Sequence, residues 1–202
     1  MAAIADAADV ATQTAYYIFG TKARLFEEVI EVAAAGGHDP IPVMQRSWAI
    51  DAIEAAYPSR SLALVVEHGV NTYARVAPLR EAILTAAAIE PAIATTWQAI
   101  ADRRRAGHRQ VIDAIADLGA LRLGLERDEA TDILSVMNSH ETYLGLVRDS
   151  GWTTTDYKAW LYRVLRAEVL APDHAAGPAP TDDLSFHVPE SSTTQDTASS
   201  TA

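Results

Sequence analysis

The chain has 202 residues, 49% of them hydrophobic, no cysteine and a formal net charge of -11. That length buries one or two modest cores, and the lack of cysteine excludes disulfides, thiol catalysis and thiolate metal sites. The negative charge excludes nucleic-acid binding through the whole surface but leaves room for a small basic site.

No apolar run reaches the roughly 18 residues of a membrane span, and the first residues lack the basic region and apolar core of a signal peptide. A cytoplasmic protein without a membrane partner is expected.

At the start of the chain, Ile4, Ala5 and Ala8 form the apolar side of a short helix, Ala8-Asp9-Val10 makes a turn, and Thr12 opens a second short helix carrying Tyr16 and Phe19. This is the layout of a helix-turn-helix, whose second helix enters the major groove of double-stranded DNA. Thr12, Gln13 and Thr14 carry groups suited to base edges, and glutamine pairs bidentately with adenine. Tyr16 and Tyr17 offer phenols to phosphates while Phe19 packs inward. Lys22 meets a phosphate with its ammonium and the amides of the next helix. The competing reading makes the three aromatics core residues of a small helical cap, and Asp6, Asp9, Glu27, Glu28 and Glu31 weigh on that side.

The following segments also read as helices, since apolar residues recur at spacings of three and four and strand alternation is missing. Leu25, Phe26, Val29 and Ile30 form one stripe, ended by Gly36-Gly37. Leu62, Val65, Val66, Gly69, Tyr73 and Val76 form another, running from a Ser59 or Ser61 cap toward Pro78. Further helices are predicted over about 79–89, 92–118, 128–148 and 155–170, with Gly151 as a breaker and Thr153 or Thr155 as a cap.

Arg104 and His108 fall on the same helical arc as Ile93, Trp97, Ile100, Val111 and Ile115, so two polar groups face the interior or a cavity. A buried arginine must be paired or ligand-bound. Either Arg104 meets an acidic or carbonyl group of a small effector, or it pairs with an acid of a neighbouring helix. His140, between Met137 and Leu144, is a core or dimer-seam histidine or else a ligand contact. The candidate effector set is thus Trp97, Arg104, His108, Met137 and His140, with His68 and Asn71 as weaker candidates. Ile133, Met137, Leu144 and Val147, with Tyr157, Trp160, Leu161 and Val164, form two long seams that either complete a core or pair with a second copy as a four-helix bundle. No nucleophile and base, phosphate loop or metal-ligand spacing stands out, so neither an enzyme nor a bound cofactor or metal is expected.

From Pro172 onward five acids occur without Lys or Arg, among many Pro, Ser and Thr residues. This composition predicts a disordered tail, and its Leu184–Val188 segment is the one candidate for a short partner motif.

The stretch from Ile4 to Ile30 resembles the second half of the DNA-binding domain of the tetracycline-repressor (TetR) family. Thr14, Tyr16, Phe19, Lys22 and Leu25 match that family's run by position. Residues 120–134 and 143–165, with Gly151-Trp152, Tyr157 and Trp160-Leu161, are similar to its last three helices, so the resemblance spans about 2–170. Asp9 stands where the family usually has glycine, and aspartate visits the left-handed region more readily than most residues. The family also places a helix before Ile4. Ile4, Ala8, Val10 and Phe19 are therefore expected to lose part of their burial here, either because the true start lies upstream or because the product is shortened.

The resemblance implies an all-α protein with a partial helix-turn-helix domain (1–36), a helical effector-binding and dimerisation domain (37–171) and a disordered tail (172–202). It further implies a homodimeric transcriptional regulator, expected to be a repressor, with operator DNA and a small-molecule effector as partners. The alternative is a regulator remnant that dimerises and binds ligand without binding DNA.

Overall fold

The computed structural model describes residues 1–37 and 41–175, and every regular element among them is helical. No helix among these residues is long and apolar enough to cross a membrane. Of the expected tail, Pro172–His174 forms a 3-10 turn, while the part from residue 176 on, with Leu184–Val188, lies outside the described residues.

Helix α1 (Ala2–Ala7) leads into a turn where Asp9 takes φ 53°, a positive value that aspartate adopts more readily than most residues. Helix α2 (Thr12–Phe19) follows and ends at Gly20. Thr21 caps α3 (Lys22–Ala35), its hydroxyl accepting from the Arg24 amide at 3.1 Å, and Gly36 closes that helix in the left-handed region. Across residues 1–37 only Ala5, Ala15 and Ile30 are buried. Ile4 and Val10 are 42% and 45% exposed.

A 3-10 turn at Val43–Gln45 introduces α4 (Ser47–Ile53), an element with no counterpart among the predicted helices. Helix α5 (Pro58–Val76) starts differently from the serine cap expected. Tyr57 is the cap residue, Pro58 opens the first turn, where its missing N–H costs nothing, and Ser59 and Ser61 are buried. Helices α6 (Arg80–Ile89) and α7 (Pro91–Asp117) follow the predicted spans closely.

The single helix expected over 128–148 is broken. Helix α8 (Arg127–Met137) stops at Asn138, and Ser139 caps α9 (His140–Tyr143), accepting from the Thr142 amide at 3.2 Å. The chain continues as a π-helical turn, Leu144–Asp149. Gly151 at φ 74° ends it, and Thr153 caps α10 (Thr154–Val169) through the Asp156 amide.

The core joins α5, α7, α8 and α10 through Leu62, Val66, Ile112, Leu134, Leu161 and Leu165, all essentially inaccessible. Each such side chain contributes about 1.5–3 kcal/mol of burial. The expected seam differs on one point. Leu144, Tyr157 and Leu161 are buried inside this one chain, because α10 lays that face on α5 and α8. Ile133, Met137, Val147, Trp160 and Val164 keep partial exposure.

Candidate functional site

Two regions carry the polar chemistry. On α2, Thr12, Gln13, Thr14, Tyr16 and Tyr17 are all exposed, and Tyr17 is 90% accessible. Ala11 is the N-cap of α2, so no side chain caps the start of that helix. Tyr16 and Tyr17 are therefore not core residues of a cap; Phe19 is the aromatic that turns partly inward. Lys22 is engaged differently from the expectation, since its ammonium forms an ion pair with Glu90, at the junction of α6 and α7.

The second region is a polar layer where the α8–α9 break meets α5 and α7. Asn138 is buried and donates from Nδ2 to the Val65 carbonyl (3.4 Å) and to His108 Nε2 (3.5 Å). His108 then carries its proton on Nδ1 and donates to Ser135 Oγ at 3.0 Å. Tyr73 donates to the Asn138 carbonyl at 2.5 Å. Gly69 explains itself here: a Cβ at that position would stand 2.3 Å from Asn138 Oδ1.

Arg104 donates from Nη1 to His140 Nδ1 at 3.3 Å, which places the proton of the neutral imidazole on Nε2. The Tyr73 and Trp97 rings pack on His140 at 4.5 and 5.8 Å. Burial, reinforced by the Arg104 charge, lowers the pKa of His108 to about 3 and of His140 to about 4, so both are neutral at pH 7. Burial pushes the Tyr73 phenol up to about 12. The acidic partner that one reading assigned to Arg104 is not found: among the described residues no carboxylate forms an ion pair with it. Glu141, beside it, is bound by Arg80 at 3.2 Å.

A cavity of about 80 Å³ is lined by Trp97, Ile100, Ala101, Arg104, His140 and Glu141. Two of its lining residues hold orphaned N–H groups, Arg104 at Nε and His140 at Nε2. Of the predicted effector set, Trp97, Arg104 and His140 converge here. His108 lies one layer deeper, bonded to Ser135 and Asn138, and Met137 packs on the main core instead. His68 stacks on Trp48 (3.8 Å) beside a larger cleft of about 420 Å³ with Arg46 and Arg75, and burial lowers its pKa to about 3. Asn71 is exposed and donates to Glu67 at 3.1 Å.

The two regions touch. Helix α3 seats on the body through a small apolar cluster of Ile30, Val76 and Ile83, and Phe26, Trp97 and Ile100 pack against that cluster. Trp97 and Ile100 thus serve both the cavity wall and the α3 seat. Arg103, next to Arg104, donates to Glu27 (2.8 Å) and Glu31 (3.4 Å) of α3, and Arg75 donates to the α3 carbonyls of Ala33 and Ala34.

Sequence reasoning missed Tyr73, Ser135 and Asn138 as site residues. The Asn138-Ser139 pair inside an otherwise helical run was the available signal, because such residues favour caps over helix interiors. No family model, curated protein or solved structure matches this chain.

Proposed function

We propose that the chain is a ligand-responsive DNA-binding regulator of the TetR kind, homodimeric and acting as a repressor that a small effector releases. One observation carries the reading: the wall of the Arg104 cavity is also the seat of α3, through Trp97 and Ile100. An effector that moves either side chain acts on the helix that follows α2. Two states of α3 with different effector affinity are all the coupling requires.

In this reading α1 and α2 form the helix-turn-helix, with Thr12, Gln13 and Thr14 at base edges and Tyr16 and Tyr17 at phosphates. Lys22 leaves Glu90 for a phosphate. That exchange is cheap, because a partly exposed ion pair contributes at most about 1 kcal/mol. Copies pair through the partly exposed α8–α10 face, with Ile133, Met137, Trp160 and Val164, and so space the two reading helices about one DNA turn apart.

A specific observation favours the second reading, ligand binding and dimerisation without DNA contact. Residues 1–37 hold two bases, Lys22 and Arg24, against five acids, and Lys22 is already paired. Fluorescence anisotropy decides between them. The purified chain is titrated with duplexes from the region flanking its own gene, at 50 to 200 mM salt. Specific binding that weakens steeply with salt supports the regulator; equal, weak binding to all duplexes supports the second reading.

A further inference from the structure

The Arg104 cavity points to the chemical class of its occupant. Arg104 is a half-buried guanidinium without a carboxylate partner among the described residues, in contact with a neutral imidazole. The neighbouring acid, Glu141, is taken by Arg80. Around the charge, the cavity lining is Trp97, Ile100 and Ala101, with His140 and with Glu141, whose Oε1 is held by Arg80. The site therefore combines a guanidinium without a carboxylate partner of its own, an acid already held by Arg80 and an apolar wall.

Size and geometry narrow the class. About 80 Å³ is the liquid volume of two to three waters, well below the roughly 150 Å³ of a cavity that takes benzene. An aromatic ring is not accommodated whole; a carboxylate head with a few methylenes is. The planar guanidinium fork matches a carboxylate, and a singly charged anion balances Arg104 without leaving excess charge buried. A phosphate dianion would need donors that the lining does not supply.

We infer that this cavity binds a short linear monocarboxylate, or the carboxylate end of a longer acyl chain, with the head on the Arg104 guanidinium and the chain along Trp97 and Ile100. The inference deepens the effector site of the proposed function and rests on that reading only for its regulatory consequence. The Arg104 guanidinium, which has no carboxylate partner among the described residues, acquires one on binding.

The test is calorimetric titration of the full chain with propionate, butyrate and hexanoate, each beside its primary amide. Acids are expected to bind about ten- to a hundredfold more tightly than the amides, the range that a charge-assisted hydrogen bond carries. Arg104→Gln is expected to abolish that preference, with a thermal melt verifying its fold. Should Arg104→Gln not fold, the acid and amide comparison on the unaltered chain decides alone. The inference is overturned if no acid of the series binds, if amides bind as tightly, if inorganic phosphate binds in preference, or if folded Arg104→Gln keeps the acid preference. Adding the bound acid to the DNA titration separates the two claims. Arg104-dependent acid binding that leaves DNA affinity unchanged upholds the ligand class and removes the regulator reading, whereas specific DNA binding with no acid bound does the reverse.

Discussion

Residues 1–37 and the body from α4 to α10 are both helical, but different physics holds them. The body buries long side chains from four helices in one continuous core. The front unit buries two alanines and Ile30, leaves Ile18 60% and Tyr17 90% exposed, and is tied on by the small apolar seat of α3 at Val76 and Ile83, by Lys22–Glu90, by Arg103 with Glu27 and Glu31, and by the Arg75 cap on α3. Apolar burial is worth about 25 cal/mol per Å², while exposed ion pairs contribute little. The front unit, with the smaller apolar seat, is the part expected to open at the lower free energy.

Acid should separate the two most sharply. His68, His108 and His140 all sit in the body, and residues 1–37 contain no histidine. Burial depresses the three folded pKa values to about 3, 3 and 4, so the folded state favours neutral rings. Their contribution is fully present above the unfolded value of about 6.5 and is lost as pH falls toward 3–4, at up to about 1.4 kcal/mol per pH unit for each ring. Denaturant melts at pH 7.5, 6 and 5 should show stability dropping steeply, and a flat profile would break the assignment of neutral rings.

Single substitutions should repeat the contrast at smaller scale. Leu62→Ala, in the body, is expected to cost about 2–5 kcal/mol by chemical denaturation, against less than about 1 kcal/mol for Val10→Ala in the front unit. Comparable losses at the two sites would remove the distinction. Gly69→Ala forces a Cβ onto the buried Asn138 side chain and should cost about 1–3 kcal/mol, lowering the melting temperature with the α8–α9 break displaced. Arg103→Ala should cost under about 1 kcal/mol. A double-mutant cycle with Glu27→Ala isolates that tie, and a coupling well above this range would mean the front unit is held more firmly than its packing implies.

The body was legible in the sequence where one rule acted alone. Val111, Ile115, Tyr157 and Leu161 recur at helical spacing and are buried, and Gly36, Gly151 and Thr153 end or cap helices where their chemistry dictates. It was illegible where tertiary contacts overrode the local pattern. The periodicity of 128–148 runs through Asn138, but the buried amide is held by Val65 and His108, 73 and 30 residues away, which sequence spacing does not reveal. Helix α4 was too short to carry a readable stripe, so Trp48 and its stacking on His68 were invisible. Arg104 was identifiable from its apolar arc, while its partner was not: a neutral histidine on another helix stands where an acid was the commoner outcome.

Native-state hydrogen exchange on the chain, alone and with a duplex from the region flanking its own gene, reads the contrast between front unit and body amide by amide. Fast exchange is expected for α1–α3 amides in the free chain, slow exchange near the global unfolding limit in α5, α7 and α10, and, under the proposed function, new protection confined to α1–α3 when DNA is added. Equal protection of front unit and body in the free chain, or no change in α1–α3 with DNA, would contradict it.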